Sequence, residues 1–190
     1  MAPMRANRAK SDADTTPPPE QVILVNEQDE EIGTGEKLAT HRRGGLHRAF
    51  SIFVFNEAGE LLLQQRAAGK YHSSRLWSNT CCGHPRPGEL LEEAAHRRLR
   101  EEMGIDCALR ESFSFAYRAR LSGGMLEHEL DHVFAGRYEG TPRPDLAEVD
   151  DWRWIDLHSL SDDLRAHPLR YTAWLKLCLE RAPGWPPHDR

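Results

Sequence analysis

Two glutamates stand two residues apart in a stretch with the composition of a β-strand. Glu127 and Glu129 open the segment 127–138, EHELDHVFAGRY. Because successive side chains of a strand point to opposite faces, both carboxylates project from the same face. Neighbouring carboxylates repel each other unless one is protonated or a cation bridges them, and a divalent metal is the usual solution. The pair therefore indicates a metal-binding site.

A second reactive pair lies in the segment 89–103, ELLEEAAHRRLREEM, which has the periodicity of an amphipathic helix. Gly104 follows it and is typical of a helix end. Arg98 and Glu102 are four residues apart, so they project from the same helical face. A carboxylate that can bind a metal is thereby placed beside a guanidinium that can bind a phosphate.

The elements that position these residues do not alternate regularly between strand and helix, and we find no internal repeat. This order favours an α+β domain, layered α/β/α, over a doubly wound sheet. The predicted strands are 22–25, 50–55, 61–65, 112–120, 127–138 and 152–155, and a second helix is predicted at 169–181.

Composition limits the classes of function. The chain has 190 residues, enough for one domain with its own core. Its net charge of −5 argues against a general affinity for nucleic acid or anionic membranes. The apolar runs are too short for a membrane span, and the four cysteines include no C-x-x-C pair. We expect a soluble cytoplasmic protein, monomeric or weakly dimeric.

The ends of the chain differ in composition from its centre. Residues 1–20 are polar and end near three prolines, which predicts a disordered N-terminal tail. We expect a single domain over 21–182 and a C-terminal tail over 183–190.

The segment 83–105, GHPRPGELLEEAAHRRLREEMGI, follows the spacing of the Nudix box, G-x5-E-x7-R-E-U-x-E-E-x-G-U, where U is aliphatic. The resemblance implies a loop–helix–loop that presents carboxylates to a divalent metal on a diphosphate. One position departs, because Arg98 stands where the box has Glu. Losing a ligand and gaining a positive charge suits holding a diphosphate without cleaving it. The positions in register are Gly83, Glu89, Arg97, Leu99, Glu101, Glu102, Gly104 and Ile105.

Three segments outside this box resemble the metal-dependent, Nudix-fold (type I) isopentenyl-diphosphate Δ-isomerases. They are SNTCCGHP (78–85), GEKLATHRRGGLHRAFS (35–51) and YRARLSGGMLEHEL (117–130), and the likeness spans 21–180. The resemblance implies a Nudix fold, a mixed sheet with flanking helices. It also implies a 1,3-proton shift between isopentenyl and dimethylallyl diphosphate, in isoprenoid biosynthesis.

The resemblance further implies two metal sites. Mixed nitrogen and oxygen ligands suit octahedral Mn²⁺ or Mg²⁺, and Zn²⁺ is an alternative. A Mg²⁺ that arrives with the diphosphate would be held by Glu102 and the backbone carbonyl of Cys82. The ligands of the first site would be His41, His47, His84, Glu127 and Glu129.

The predicted local structure indicates which histidines can be metal ligands. We expect His41 and His47 to lie in a loop that folds both rings inward. His128 and His132 alternate to the strand face opposite the two glutamates, so we exclude them as ligands.

By the same resemblance, Cys82 and Glu129 form the acid–base pair on opposite sides of the substrate. A thiol has an unperturbed pKa of about 8.5, so it is largely protonated at neutral pH and can exchange a proton. Which of the two protonates first is left open. Tyr117 would hydrogen-bond the glutamate, and the ring face of Trp174 would shelter the cation. Core packing is the alternative role for Trp174.

The diphosphate requires cations, and the resemblance assigns Lys37, Arg66, Lys70 and Arg98 to it. A salt bridge on the helix surface is the simpler interpretation of Arg97 and Glu101, four residues apart.

Two other functions remain. A Nudix hydrolase of a nucleoside diphosphate derivative explains the box but leaves Cys82 and the Glu-x-Glu strand without a use. A non-catalytic Nudix-like domain that binds a diphosphate needs no acid–base pair.

Overall fold

The computed structural model describes residues 19–121, 124–182 and 184–186, and the described strands form one nine-stranded sheet. The strands are β1 (Gln21–Val25), β2 (Glu31–Glu36), β3 (His47–Phe55), β4 (Leu61–Arg66), β5 (Trp77–Ser78), β6 (Cys81–Gly83), β7 (Leu109–Arg120), β8 (Leu126–Arg137) and β9 (Val149–Ile155). The helices are α1 (Lys37–Arg43), α2 (Leu91–Met103), α3 (Leu157–Ala166) and α4 (Ala173–Arg181).

Strand β3 is the axis of the sheet. It pairs in parallel with β8, where His47 lies opposite Glu129, and the register continues along the full length of β3. On its other side it pairs antiparallel with β6, where Ser51 lies opposite Cys82. The other pairings are antiparallel, so the sheet is mixed, as predicted. Cys82 and Glu129 therefore come from the two strands that flank β3.

The side chains of β3 alternate between two hydrophobic layers. Phe50 and Ile52 face α2 and pack in one buried cluster with residues such as Leu99. Phe53 and Phe55 face the other way and pack with residues of α3 and α4. Helices therefore cover both faces of the sheet, which confirms the predicted α/β/α layering.

Helix α2 ends at a glycine for a steric reason. Gly104 has a φ of 63°, in the left-handed region, and its amide donates to the carbonyl of Arg100. A Cβ at this position would lie 2.2 Å from the carbonyl oxygen of Arg143. The end of α2 is thereby held against the 143–145 segment, which sets the direction of Glu102 on the last turn.

The second predicted helix begins later than expected. Residues 168–170 form a separate 3-10 turn, and Tyr171 makes a parallel β-bridge with Trp77. The helix that follows is α4, which begins at Ala173 rather than at 169. At this bridge the backbone is extended rather than helical: Tyr171 has a φ of −121° and a ψ of 149°.

The expectation that His41 and His47 lie in a loop is wrong. His47 is the first residue of β3. His41 is in α1, a seven-residue helix whose first turn is capped by the Glu36 side chain, which accepts from the amides of Leu38 and Ala39 at 2.9 and 2.7 Å. A helix this short depends on its cap and its packing rather than on periodicity. Apolar periodicity therefore could not reveal it.

Both ends of the described chain contact the domain. The backbone amide of Lys37 donates to the carbonyl of Glu20 at 2.8 Å. The ring of Trp185 lies 4.6 Å from that of Phe53, centroid to centroid. Residues 1–18, 183 and 187–190 of the two predicted tails lie outside the described residues. Within the described part, none of the helices has the length and apolarity needed to cross a membrane.

The hydrophobic cluster between the sheet and helices α3 and α4 gives a test of the packing. Leu160 of α3 is fully buried, so Leu160→Ala should lower the free energy of unfolding by about 2–5 kcal/mol. Leu169→Ala is the matched control, because Leu169 is 88% exposed and should change stability by less than about 0.5 kcal/mol. Urea denaturation measures both. Equal midpoints for the two variants would contradict this packing.

Candidate active site

One cavity of about 380 Å³ opens above the junction of β3, β6 and β8. Sequence reasoning placed thirteen residues at the site, and the structure brings most of them to the wall of this cavity. His41 and His47 lie behind the wall and are fully buried. The predicted residues that line it are Lys37, Arg66, Lys70, Cys82, His84, Arg98, Glu102, Tyr117, Glu127, Glu129 and Trp174.

The five predicted ligands of the first metal converge. His41 Nε2 lies 3.1 Å from Glu127 Oε2. Glu129 Oε1 lies 3.5 Å from His47 Nε2 and 2.9 Å from His84 Nε2. The parallel register of β3 and β8 produces the contact between His47 and Glu129, and His41 comes from α1. The atoms are close enough for one ion to contact several of them.

The hydrogen bonds of the histidines test whether a metal fits. His41 Nδ1 lies 2.7 Å from the carbonyl oxygen of Lys37, and His47 Nδ1 lies 2.9 Å from that of Gly45. A carbonyl only accepts, so each Nδ1 carries the proton. In the neutral rings each Nε2 then presents a lone pair. Both Nε2 atoms are buried without an aligned hydrogen-bond partner.

This arrangement is the one that metal-binding histidines commonly show, with the second nitrogen held by a backbone carbonyl. Lone pairs that face buried carboxylates repel one another unless a cation lies between them. The donor set of imidazoles and carboxylates therefore fits a divalent cation.

The pKa shifts show an electrostatically coupled group: burial opposes protonation of His41, but its contact with Glu127 raises its pKa. Burial and the neighbouring Glu129 raise the pKa of Glu127 to about 7. Burial opposes ionisation of Glu129 as well, but His47 and His84 hold its pKa well below the usual range. Burial lowers the pKa of His84 to about 4, so its ring is neutral. Neutral imidazoles and ionised carboxylates are the forms that bind metals.

The predicted acid–base pair shares the cavity. The Tyr117 hydroxyl donates to Glu129 Oε2 at 2.6 Å, across the β7–β8 pair in which these two residues are directly opposite. Burial raises the pKa of the Cys82 thiol to about 12, against the lowering effect of Arg66. Cys82 therefore carries its proton at neutral pH. Cys81 points the other way, into the core, with its Sγ 3.5 Å from Glu102 Oε2.

Trp174 is packed in the interior and also faces the cavity. Its indole Nε1 donates to Ser78 Oγ at 2.9 Å and to Asn79 Oδ1 at 3.1 Å, so the ring is fixed. The ring is buried, lines the cavity, and has the Arg66 guanidinium 5.3 Å from its centroid. It is both a packed residue and an apolar face of the cavity.

Two of the predicted cations, Lys70 and Arg98, are paired with carboxylates. Arg98 contacts Glu102 on the same helical face, as expected, and Lys70 Nζ lies 3.7 Å from Glu102 Oε1. Lys70 also contacts Glu148, and Arg98 lies 3.5 Å from it. Burial opposes ionisation of Glu102, but Arg98 and Lys70 hold its pKa low.

The remaining two cations occupy different surroundings. Lys37 is 3.0 Å from Glu20, and Arg66 donates to the carbonyl of His72 at 3.3 Å while its Nε is buried without a partner. A buried guanidinium nitrogen with no partner is well suited to an incoming anion.

Sequence reasoning missed four titratable residues that line the cavity. Glu148, Tyr71 and His72 come from connections between strands, where no periodicity marks them, and Glu20 was assigned to the tail. Arg97 lies outside the cavity wall: it pairs with Glu101 at 3.1 Å, as expected, and more closely with Glu89 at 2.6 Å.

Comparisons with known proteins agree with the family resemblance of the sequence. A NUDIX domain matches residues 45–175. The chain is 56% identical over 162 residues to isopentenyl-diphosphate Delta-isomerase 2 of Aromatoleum aromaticum, covering 85% of this chain and 86% of that protein. It is 54% identical over 163 residues to the isopentenyl-diphosphate Delta-isomerase of Burkholderia multivorans, covering 86% and 93%.

Solved structures share the fold. A Deinococcus radiodurans protein superposes with a TM-score of 0.74 at 22% identity, covering 87% of this chain and all of that one. A MutT protein from Methanosarcina mazei gives a TM-score of 0.58 at 21% identity, over 72% of this chain and 91% of that one. These likenesses confirm the predicted Nudix fold.

Metal affinity should depend on pH through Glu127. A metal must displace the proton of a carboxyl whose pKa is about 7, so protonation competes with binding as the pH falls. Between pH 8 and pH 6, Mn²⁺ affinity measured by calorimetry should fall by about tenfold or more. Glu127→Gln cannot titrate there and should bind weakly with a flatter profile. A wild-type profile as flat as that of the variant would contradict this assignment.

Proposed function

This chain belongs to the isopentenyl-diphosphate Delta-isomerase family of NUDIX-domain proteins, and we propose that it interconverts isopentenyl diphosphate and dimethylallyl diphosphate. The observation that carries the proposal is that Cys82 and Glu129 line one cavity from the two strands flanking β3. An acid and a base on opposite sides of a small substrate are what a 1,3-proton shift needs.

The reaction moves a double bond without changing composition. One of the two groups adds a proton to the terminal carbon of the alkene, which leaves a tertiary cation at the adjacent carbon. The other group removes a proton from the neighbouring methylene, and that electron pair forms the new double bond. One proton is given and one is taken, so exchange with solvent restores the pair.

Tyr117 and Trp174 support this pair. The Tyr117 hydroxyl orients Glu129 by donating to one carboxylate oxygen, and it restrains the other oxygen toward the imidazoles. The fixed ring of Trp174 offers a π-face to a cation and excludes water from it. A tertiary cation in contact with water would be captured as an alcohol.

The four cations form a second, polar half of the cavity that suits a diphosphate. Lys70 and Arg98 are neutralised by Glu102 and Glu148 in the absence of substrate. When a diphosphate binds with Mg²⁺, Lys70 and Arg98 would pair with the phosphates, and Glu102 with the Cys82 carbonyl would hold the Mg²⁺. The positive and negative charges buried in the cluster would then remain balanced.

The His/Glu group would hold Mn²⁺, with Mg²⁺ or Zn²⁺ as alternatives, and when bound this ion supplies the positive charge that keeps Glu127 and Glu129 together. The chain's own residues do the rest: His41 and His47 are oriented by backbone carbonyls, and His84 follows the strand that carries Cys82. We further propose a cytoplasmic location and a monomer or weak dimer.

A hydrolase is less compatible with the site. Arg98 replaces a carboxylate of the box and pairs with Glu102, so it removes a ligand where a hydrolase activates water. The cysteine and the imidazole–carboxylate group would also have no use in that reaction.

The two adjacent cysteines make a matched test. Cys82→Ala should reduce kcat on isopentenyl diphosphate by about 100-fold or more, because it removes a proton carrier. Cys81→Ala changes the same atoms one residue away, in the core, and should retain kcat within a few fold while lowering the melting temperature. Steady-state kinetics and thermal melts measure both. Similar kcat values for the two variants would contradict the assignment of Cys82.

The diphosphate half can be tested separately. Arg66→Gln should raise KM by about tenfold or more, because a charge-assisted hydrogen bond to phosphate is lost. Arg86→Gln is the control, since the Arg86 side chain is 64% exposed and does not line the cavity. An unchanged KM for Arg66→Gln would remove Arg66 from the binding site.

A further inference from the structure

His72 is a buried histidine beside the proposed metal site to which the proposed function assigns no role. It lies in the connection between β4 and β5 and is only 6% exposed. Its Nε2 is 3.4 Å from Glu127 Oε1, on the side of that carboxylate that His41 does not contact. His41, His72 and Glu127 form a second group of potential ligand atoms within 4.8 Å of one another.

The ring of His72 is held in place from several sides. It stacks on His41 with centroids 6.1 Å apart and an interplanar angle of 29°. Tyr71 and Trp174 pack edge-on against it at 4.4 and 5.9 Å. Its backbone carbonyl accepts from Arg66 at 3.3 Å. A side chain restrained in this way has little conformational entropy left to lose on binding an ion.

We propose that His72 Nε2 is a further protein ligand of the ion held by the His/Glu group. This inference rests on the proposed metal site. The ligand set would then be four imidazoles and two carboxylates: His41, His47, His72, His84, Glu127 and Glu129.

The two groups of potential ligand atoms cannot each hold an ion with all their members, because they share His41. His41 belongs to both groups of potential ligand atoms, but its Nδ1 is committed to the carbonyl of Lys37. Only Nε2 is left to bind a metal, and one nitrogen lone pair serves one ion. Glu127 has two oxygens, one toward His41 and one toward His72, so it lies between the two groups.

A nitrogen-rich set has a consequence for metal choice. Mg²⁺ prefers oxygen ligands, whereas imidazoles suit Zn²⁺, Co²⁺ and, in octahedral mixed sets, Mn²⁺. Adding His72 to the ligand set would therefore favour a transition metal over Mg²⁺ more strongly than the five ligands alone.

A second consequence concerns the loop that carries His72. Residues 67–76 connect β4 to β5 and include Lys70, one of the proposed diphosphate ligands. A metal bond to His72 would tie this loop to the sheet and hold Lys70 in place for substrate. Removing the metal should then increase hydrogen exchange in residues 67–76.

The test uses the full chain titrated with Co²⁺ alone, followed by visible absorption and by calorimetry. Wild type, His72→Ala, His72→Gln and His158→Ala are compared. His158 is the control because its side chain is 88% exposed. If the wild type binds no Co²⁺, the proposed metal site itself fails, and that outcome is separate from any effect of His72.

If His72 is a ligand, both of its variants should bind Co²⁺ more than about tenfold more weakly, with an altered visible spectrum. They should also lose the metal-dependent protection of residues 67–76. His158→Ala should match the wild type in all three measurements.

The glutamine variant separates a ligand from a residue that only hydrogen-bonds Glu127. A glutamine amide can donate to that carboxylate but is a poor replacement for an imidazole ligand. Wild-type affinity and spectrum in His72→Gln would overturn the proposal, as would an unchanged spectrum in His72→Ala.

Discussion

Two carboxylates and three imidazoles are withdrawn from water at one point of this molecule, and a bound cation would offset that cost. Glu127 and Glu129 are almost fully buried, and like charges at this separation cannot both ionise without compensation. In the neutral forms of His41 and His47, the Nδ1 protons are donated to backbone carbonyls, so these two rings bring no positive charge of their own. The rest of the site is arranged around the position that a metal would take.

The sheet explains why these groups meet. Parallel pairing of β3 with β8 places His47 opposite Glu129, and antiparallel pairing of β7 with β8 places Tyr117 opposite the same glutamate. On the far side of β3, β6 carries Cys82. One strand thus separates the proposed acid from the proposed base, and the cavity above it is the space for a small alkene. Helix α2 closes the polar end with Arg98 and Glu102.

Sequence reasoning reached these residues by two different routes. The pairing of Glu127 with Glu129 and of Arg98 with Glu102 followed from strand and helix periodicity alone, and the structure places both pairs as expected. The histidines and Cys82 came from resemblance, because they lie on or next to different elements and no spacing within one element brings them together. Helix α1 escaped prediction because seven residues show too little periodicity and its cap, Glu36, is not one of the residue types usual at that position.

For a related reason, the sequence could not show that the site includes His72, Tyr71 and Glu148. Each lies in a connection between strands, and its distance from the site depends on how that connection folds. The same limit applies to pKa values: burial, which raises the pKa of Cys82 to about 12 and that of Glu127 to about 7, exists only in the folded chain.

Incubation with isopentenyl diphosphate in heavy water, read by mass spectrometry together with a phosphate assay, tests the central claim most directly. If Cys82 and Glu129 exchange protons with carbon, deuterium should enter the new methyl group of dimethylallyl diphosphate, and no inorganic phosphate should be released. A hydrolase would instead direct water at phosphorus. Release of phosphate from a carbon chain that carries no deuterium would contradict the account.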